Sequence, residues 1–300
     1  MNRSRYRRGL TLVLLVSLAW LPGHSPAVET GDEELSLSDV EQLSAHEDRR
    51  IRLKAVETLR LRFGSQAAPV LIRVLNDTDR EVRIDAIQAL ASIRPPSADT
   101  ISALNTAMRH RDPNTRKAAA AALGELGVVE ALAQALRDPD KGIRRNAVRP
   151  LRRIVTGPGP SYDPSVTSAA IAALAGALSD AHRDVRYGAA SSLGMIGPAA
   201  RDAVPALTAA MKDPDPSIRR ATAQTLGRIG GESAVDEVVP TLTLALNDAD
   251  GDVRQAAVKA LGLIGPPARS ALPALRDIRA RETSSAVADV DAAIRRIEHE

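Results

Sequence analysis

The chain has 300 residues, 2% aromatic content, no cysteine and a formal charge of +3. The missing cysteine excludes a disulfide framework, a thiolate metal site, a cysteine nucleophile and a lipid-modified N-terminal cysteine; so few rings also exclude a deep aromatic core and leave thin layers of Ala- and Leu-rich helices. Residues 1–27 hold four arginines and no acid, so the remainder carries 36 basic groups against 37 acidic ones, and a near-neutral chain has no global pull on nucleic acid.

The N-terminus reads first as a targeting segment. MNRSRYRRGL is basic, an apolar stretch follows from Leu10 to Leu21, Pro22 and Gly23 break it, and Ser25-Pro26-Ala27 supplies the small residues a signal peptidase reads. The stretch falls short of the about 20 residues that span a bilayer. The expectation is an export signal, residues 1–27, removed after Ala27, with no membrane span afterwards and a destination in the periplasm or outside a bacterial cell. An uncleaved N-terminal anchor is the alternative. Arg7-Arg8-Gly9-Leu10 weakly resembles a twin-arginine signal, from which Thr11 departs. Residues 28–37 form an acidic flexible leader, and Ser38-Asp39-Val40-Glu41 reads as a capping box that opens the first helix.

From there the chain repeats one phrase. DPDPSIRRATAQTLGRIG (213–230) returns as DADGDVRQAAVKALGLIG (248–265). An anchor arginine after Val or Ile, or its counterpart, falls at Arg52, Arg83, Arg116, Arg144, Arg186, Arg219 and Arg254, with a last unit anchored near Val287. Leucine lies seven residues after every arginine, alanine three after it in six units (Thr222 is the exception), and Ile or Leu ten after it in six. Offsets 3, 7 and 10 mark one face of an α-helix, here helix B, and the small residue at offset 3 lets a neighbour come close. An aspartate four before the arginine (Asp48, Asp79, Asp112, Asp140, Asp215, Asp250) is an N-cap signal, and Gly127, Gly197, Gly230 or Gly265 suits a left-handed C-cap.

Upstream, leucine twelve and Leu or Met eight before the anchor mark a helix A, and Pro69, Pro205, Pro240 and Pro273 sit fourteen before it, setting its first turn or a bend. One such hairpin cannot bury its own apolar face, whereas stacked hairpins can. The fold expected over 38–300 is therefore all-α, a right-handed α-solenoid of about eight hairpins. Val290, Ile294 and Ile297 continue the helix-B face to the end, where Arg295, Arg296, Glu298 and Glu300 turn polar as a capping unit should. Unit four departs from the pattern: Pro150 should kink its helix B, and TGPGPSYDPS (156–165), containing Tyr162, adds an insertion across 155–166 that reads as a hinge, a binding loop or a neutral addition.

These residues resemble the HEAT repeat, in the short bacterial form also found in phycobilisome lyases; the resemblance rests on Pro205, Leu207, Met211, Asp213-Pro214-Asp215, Ile218-Arg219, Leu226-Gly227 and Ile229-Gly230 and their counterparts, over roughly 38–298. It implies that the Asp of one turn and the Arg of the next unit form a ladder of charged hydrogen bonds, which would make the seven anchor arginines and six cap aspartates structural. It says little about function, because such solenoids serve many roles.

Signs of chemistry are few. His46, His110 and His182 lie in turns of separate units, so they read as turn residues rather than ligands, and no metal or cofactor is expected. Some HEAT-like enzymes hydroxylate a lysine derivative at a di-iron site built from repeated His-Glu pairs; here His46-Glu47 lies in a turn and His299-Glu300 ends the chain. A bilin-lyase-like activity, implied by the same resemblance, belongs inside the cell and conflicts with the export signal. No catalytic residue is expected. A partner must then use surface that the repeat does not explain. Offsets 1, 5 and 9 on helix B point away from its core face, giving Arg145, Arg149 and Arg153, then Tyr187, Ser191 and Met195, then Arg220, Gln224 and Arg228, with Arg152 nearby. Five arginines flanking one tyrosine form a candidate basic patch on the concave helix-B surface for a protein partner with an acidic segment; a merely solvated face is the alternative. The function expected is an exported interaction scaffold or adaptor, with an accessory subunit of an exported enzyme complex as the runner-up.

Overall fold

The computed structural model describes residues 35–157, 163–231, 235–281 and 286–299. Residues 1–27, expected to be an export signal, most of the expected acidic leader and Tyr162 lie outside the described residues. The chain divides into two compact units, residues 1–122 and 123–300.

The first unit holds α1 (Leu37–Ser44), α2 (Arg49–Arg62), α3 (Ala68–Val74), α4 (Arg80–Ser92), α5 (Ala98–Ala107) and most of α6 (Pro113–Glu125). The second holds α7 (Val129–Ala135), α8 (Lys141–Thr156), α9 (Pro164–Gly176), α10 (Arg183–Ile196), α11 (Val204–Ala210), α12 (Pro216–Ile229), α13 (Val235–Ala245), α14 (Gly251–Ile264), α15 (Leu272–Arg281) and α16 (Ala286–His299). Among the described residues these make eight helix pairs, and none is a strand. In each unit a helix packs on its hairpin partner and on its counterpart in the neighbouring hairpin: α2 on α4 in the first, α8 on α10, α10 on α12, α12 on α14 and α14 on α16 in the second. The architecture is an all-α solenoid arrangement, as the periodicity predicts.

The core follows the repeat. Leu59, Leu90, Leu123, Leu151, Leu193, Leu226 and Leu261, seven after each anchor, are fully buried, as are Leu71, Leu104, Leu132, Leu174, Leu207, Leu242 and Leu275 of helix A. Burying a leucine is worth about 2 kcal/mol, so each hairpin depends on the next to cover these side chains. In the last helix Val290, Ile294 and Ile297 are buried while Arg295 and Arg296 are exposed.

Several local details differ from expectation. The first helix is capped by Ser36, not Ser38: the Asp39 amide donates to Ser36 Oγ and the Ser36 amide to Asp39 Oδ2, a register that buries Val40. Gly127, Gly197 and Gly265 have φ of 72°, 73° and 73°, but Gly230 has φ −71°. At Gly230 the constraint is space, since an added Cβ would stand 2.7 Å from Leu226 O and 2.9 Å from Val238 Cγ1. Helix α8 is one element through Pro150, which is buried against Gly124; an added Cβ at Gly124 would lie 2.6 Å from Pro150 Cβ. The missing Pro150 amide therefore sits in a helix held by its packing.

Close approach between helices B occurs eight residues after the anchor. A Cβ at Gly194 would stand 2.4 Å from Thr225 Oγ1, at Gly227 2.6 Å from Ala260 Cα, and at Gly262 2.9 Å from Ala293 Cα. Alanine at offset 3 is buried beside them, but it is the glycine of the Leu-Gly pair that lets backbones touch.

Candidate functional site

The turns between helices A and B carry the densest polar structure, and the anchor arginine organises it. Arg186 Nη1 donates to the carbonyls of Asp180 and Ala181 in its own turn, at 3.0 and 3.2 Å. Its Nε and Nη2 donate to both oxygens of Asp213 in the following turn, at 2.6 and 3.1 Å. The same fork joins Arg52 to Asp77 (2.7 and 3.0 Å), Arg144 to Asp180 (2.7 and 3.0 Å) and Arg219 to Asp248 (2.8 and 2.7 Å). One planar cation thus closes its own loop and fastens the next, which a lysine cannot do.

Two features of the expected ladder are corrected. The rungs run forward, from an arginine to the turn of the following unit. The acceptor is the aspartate six before the anchor, not the cap aspartate four before it. The cap aspartates Asp48, Asp79, Asp140, Asp215 and Asp250 accept amides of the first turn of their helices B, and Asp79 and Asp215 pair across the stack with Arg49 at 3.4 Å and Arg183 at 2.7 Å rather than with an anchor. The residue at −6 accepts the amide at −4, as Asp77, Asp138, Asp180, Asp213 and Asp248 all do. Asp77, Asp180, Asp213 and Asp248 take an arginine fork; an Asp six before the anchor in five of seven units was a legible signal that pattern reading passed over.

The histidines explain the irregular rung. His46 and His110 occupy the −6 position, where Nδ1 accepts the amide of Asp48 and of Asp112, each at 3.0 Å. A ring nitrogen that accepts one amide offers no carboxylate to a guanidinium. Arg83 accordingly reaches past His110 to Asp112 Oδ2 and Thr115 Oγ1, both at 3.2 Å. Burial opposes ionisation of Asp112, but the Thr115 hydroxyl, the Asn114 and Thr115 amides and Arg83 outweigh it and hold the carboxyl down at about 2. Burial and the nearby Arg83 lower His110 below the usual imidazole range. His182 takes the N-cap place of an aspartate, accepting the Asp184 amide at 3.3 Å. Arg116 donates to the His110 and Arg111 carbonyls, and Arg254 to those of Asp248 and Ala249. Among the described residues no group of three or more His, Asp and Glu is placed to hold a metal ion.

The expected patch lies wholly in the second unit, on α8, α10 and α12. Arg145, Arg149, Arg153, Tyr187, Gln224 and Arg228 are exposed and Arg220 is half-buried. Three of its arginines have carboxylate neighbours: Arg145 near Asp184 at 3.9 Å, Arg153 near Glu125 at 3.7 Å and Arg220 on Asp252 at 3.1 Å. Arg228 Nη1 lies 3.5 Å from the Gly194 carbonyl. Arg149 has no ion pair among the described residues. What sequence reading undervalued is apolar surface beside the charge: Tyr187, Met195 and Leu263 are 43, 56 and 57% exposed. Met195 and Leu263 share offset 9 with Arg228 of the helix between them. The face is therefore mixed, a few open cations among exposed apolar side chains, rather than a uniform positive field. Among the described residues no helix is long and apolar enough to cross a membrane.

Comparison with known proteins gives a family and a fold. Residues 38–104, 101–174, 129–201, 171–242 and 235–294 match the HEAT repeats family. No curated protein sequence matches the chain. Among solved structures, an engineered protein aligns at 21% identity with a TM-score of 0.53, over 87% of this chain and 78% of that one. A chain from the structure in which Kap95p binding induces the switch loops of RanGDP to adopt the GTP-bound conformation aligns at 13% identity with a TM-score of 0.61, over 87% of this chain and 39% of that one. At these identities the likeness is one of fold.

Proposed function

Because this chain belongs to the HEAT-repeat family, we propose that it is an exported interaction scaffold or adaptor whose helix-B face, on the concave side of the stack, holds a protein partner through an acidic segment. Repeats of this kind offer a long surface built from a rigid lattice, and their common use is protein binding. The observation that carries the reading is the division of labour among arginines. The anchors Arg52, Arg83, Arg144, Arg186 and Arg219 are held by aspartates inside the lattice, whereas Arg149, Arg153 and Arg228 are exposed on helices B, as are Tyr187 and Met195. Aromatic and arginine side chains are the residues over-represented where interfaces are strong.

A photo-reactive residue placed at Met195 tests this, with one at Leu244, also exposed but on helix A, as the control. In the exported fraction, adducts are expected from position 195 and not from 244. The triple change Arg149→Glu, Arg153→Glu and Arg220→Glu should cut capture by more than about tenfold while leaving the helical signal intact. Equal capture by the reversed-charge protein would dispose of the acidic-segment reading.

A further inference from the structure

At most junctions, exposed side chains join the helices B of neighbouring hairpins. Arg49 of α2 pairs with Glu81 of α4, Arg145 of α8 lies near Asp184 of α10, and Arg183 of α10 pairs with Asp215, the cap of α12. Arg220 of α12 pairs with Asp252 of α14, and Lys259 of α14 with Asp289 of α16. Between α4 and α6 the corresponding positions hold other residues. Ile84 stands one after its anchor, the place of Arg145 and Arg220, and Asn114 two before, the place of Glu81, Asp184 and Asp252. The buried Arg83 rung to Asp112 remains. Among the described residues no exposed ion pair joins α4 to α6, and Arg80 and Lys117, both exposed, make none at all.

A groove of about 440 Å³ occupies this seam, walled by Arg80, Glu81 and Ile84 of α4 and by Asn114, Lys117, Ala118 and Ala121 of α6. Small side chains open it: five after the anchor α6 has Ala121, where α4, α8, α12 and α14 carry Gln88, Arg149, Gln224 and Lys259. The turns that lead into both helices, 75–79 and 108–112, are among the described residues, and the whole groove lies within the first unit. It is polar at one end and apolar along its length. Arg80, Asn114 and Lys117 stand in the first turns of their helices, while Ile84 and Ala121 follow Arg80 and Lys117 by four residues, a rise of about 6 Å. Glu81 is the acid of the wall, and Arg49 pairs with it, so the open charges of the groove are its two cations.

We propose that this groove docks an extended segment of a partner protein in which an aspartate or glutamate lies two residues from a large apolar side chain. The carboxylate meets Arg80 and Lys117 and supplies the acid that this junction lacks. The apolar side chain covers Ile84, Ala118 and Ala121, which the stack leaves bare. An extended chain turns residues i and i+2 to the same side, about 6.6 Å apart, which matches the separation of the charged and apolar levels of the wall. The volume is that of a ligand pocket. This site does not rest on the reading of the basic face in the second unit.

The full chain with ¹³C-methyl-labelled isoleucine reads the proposal at the wall itself. The Ile84 δ1 methyl resonance, assigned by its loss in Ile84→Val, should move saturably with blocked Asp-Ala-Phe or with its reverse, Phe-Ala-Asp. Replacing the Asp of the tighter peptide by Asn, or its Phe by Ala, should weaken it about tenfold or more, and free hexanoate should bind as weakly. Arg80→Gln with Lys117→Gln, both at exposed side chains, should remove the advantage of Asp over Asn and leave the Asn peptide unchanged. Ala121→Gln installs the residue that α4 and α12 carry at this offset, so it should fill the groove and abolish the response. An Ile84 methyl indifferent to both peptides would overturn the site. Equal binding of the Asn peptide would overturn the part given to the acid, and equal binding of hexanoate the assignment to a peptide segment. A response retained in Ala121→Gln would overturn its location.

Discussion

A guanidinium has two edges, and in this chain one edge closes a turn while the other reaches its neighbour. That is why arginine recurs at the anchor where lysine, with a single point of charge, would satisfy only one partner. Arg186→Lys is expected to destabilise the protein by about 1–3 kcal/mol in chemical denaturation, because it leaves buried oxygens of Asp213 and two turn carbonyls short of donors. Arg220→Gln, which breaks an exposed pair with Asp252, should cost no more than about 0.5 kcal/mol. Thr222 offers the converse case. Its hydroxyl is buried without a hydrogen-bond partner, at the offset where six other units carry alanine, so Thr222→Ala should be neutral or stabilising by up to about 1 kcal/mol. Asp112 sets a pH dependence: its folded value of about 2 lies below the unfolded value of about 3.9. Its contribution, about 2–3 kcal/mol, is therefore present above pH ~4 and lost as the pH falls toward about 2. Acid titration of stability should show a shallower loss over that interval in Asp112→Asn than in the parent.

Helices of this composition are held by contact rather than by propensity, and glycine shows the balance. Gly176 lies at the end of α9 with helical backbone and open space where a Cβ would go, so Gly176→Ala should stabilise by about 0.5–1 kcal/mol. Gly227→Ala gains the same propensity but drives a methyl to 2.6 Å from the Ala260 backbone. Forcing α12 and α14 apart should outweigh the gain and leave a net loss of about 1–3 kcal/mol; thermal unfolding of the two variants side by side checks the opposite signs. The Leu-Gly pairs are visible in the sequence, yet offset 3 looked like the place of closest approach. Which small residue meets a backbone depends on the crossing of two helices, and a single helix does not contain it.

For the molecule as a whole, each hairpin is stabilised by its neighbours, so damage should spread along a unit and fade with distance. Asp213→Asn weakens the rung to Arg186, and hydrogen exchange should quicken most in α10 and α12 and least in α16. Uniform acceleration over the second unit would instead mean that it opens as one cooperative block. The helix-B face is a product of this lattice, formed by side chains that the rungs leave over.

Much of this was legible in one dimension. Recurrence of Leu at offset 7, the cap aspartates and the hairpin count come from periodicities of a single helix and its termini, which neighbouring residues in the chain decide. The matches across 38–294 agree with that reading. Tertiary structure decided what lies between repeats: that Arg52 grips Asp77 rather than Asp79, that Arg83 must bypass His110, and that Arg145, Arg153 and Arg220 have acidic neighbours. A spacing of about 33 residues places two turns side by side but does not say which of two aspartates, two positions apart, an anchor arginine meets. That choice is made by helices that must pack before an arginine can reach across.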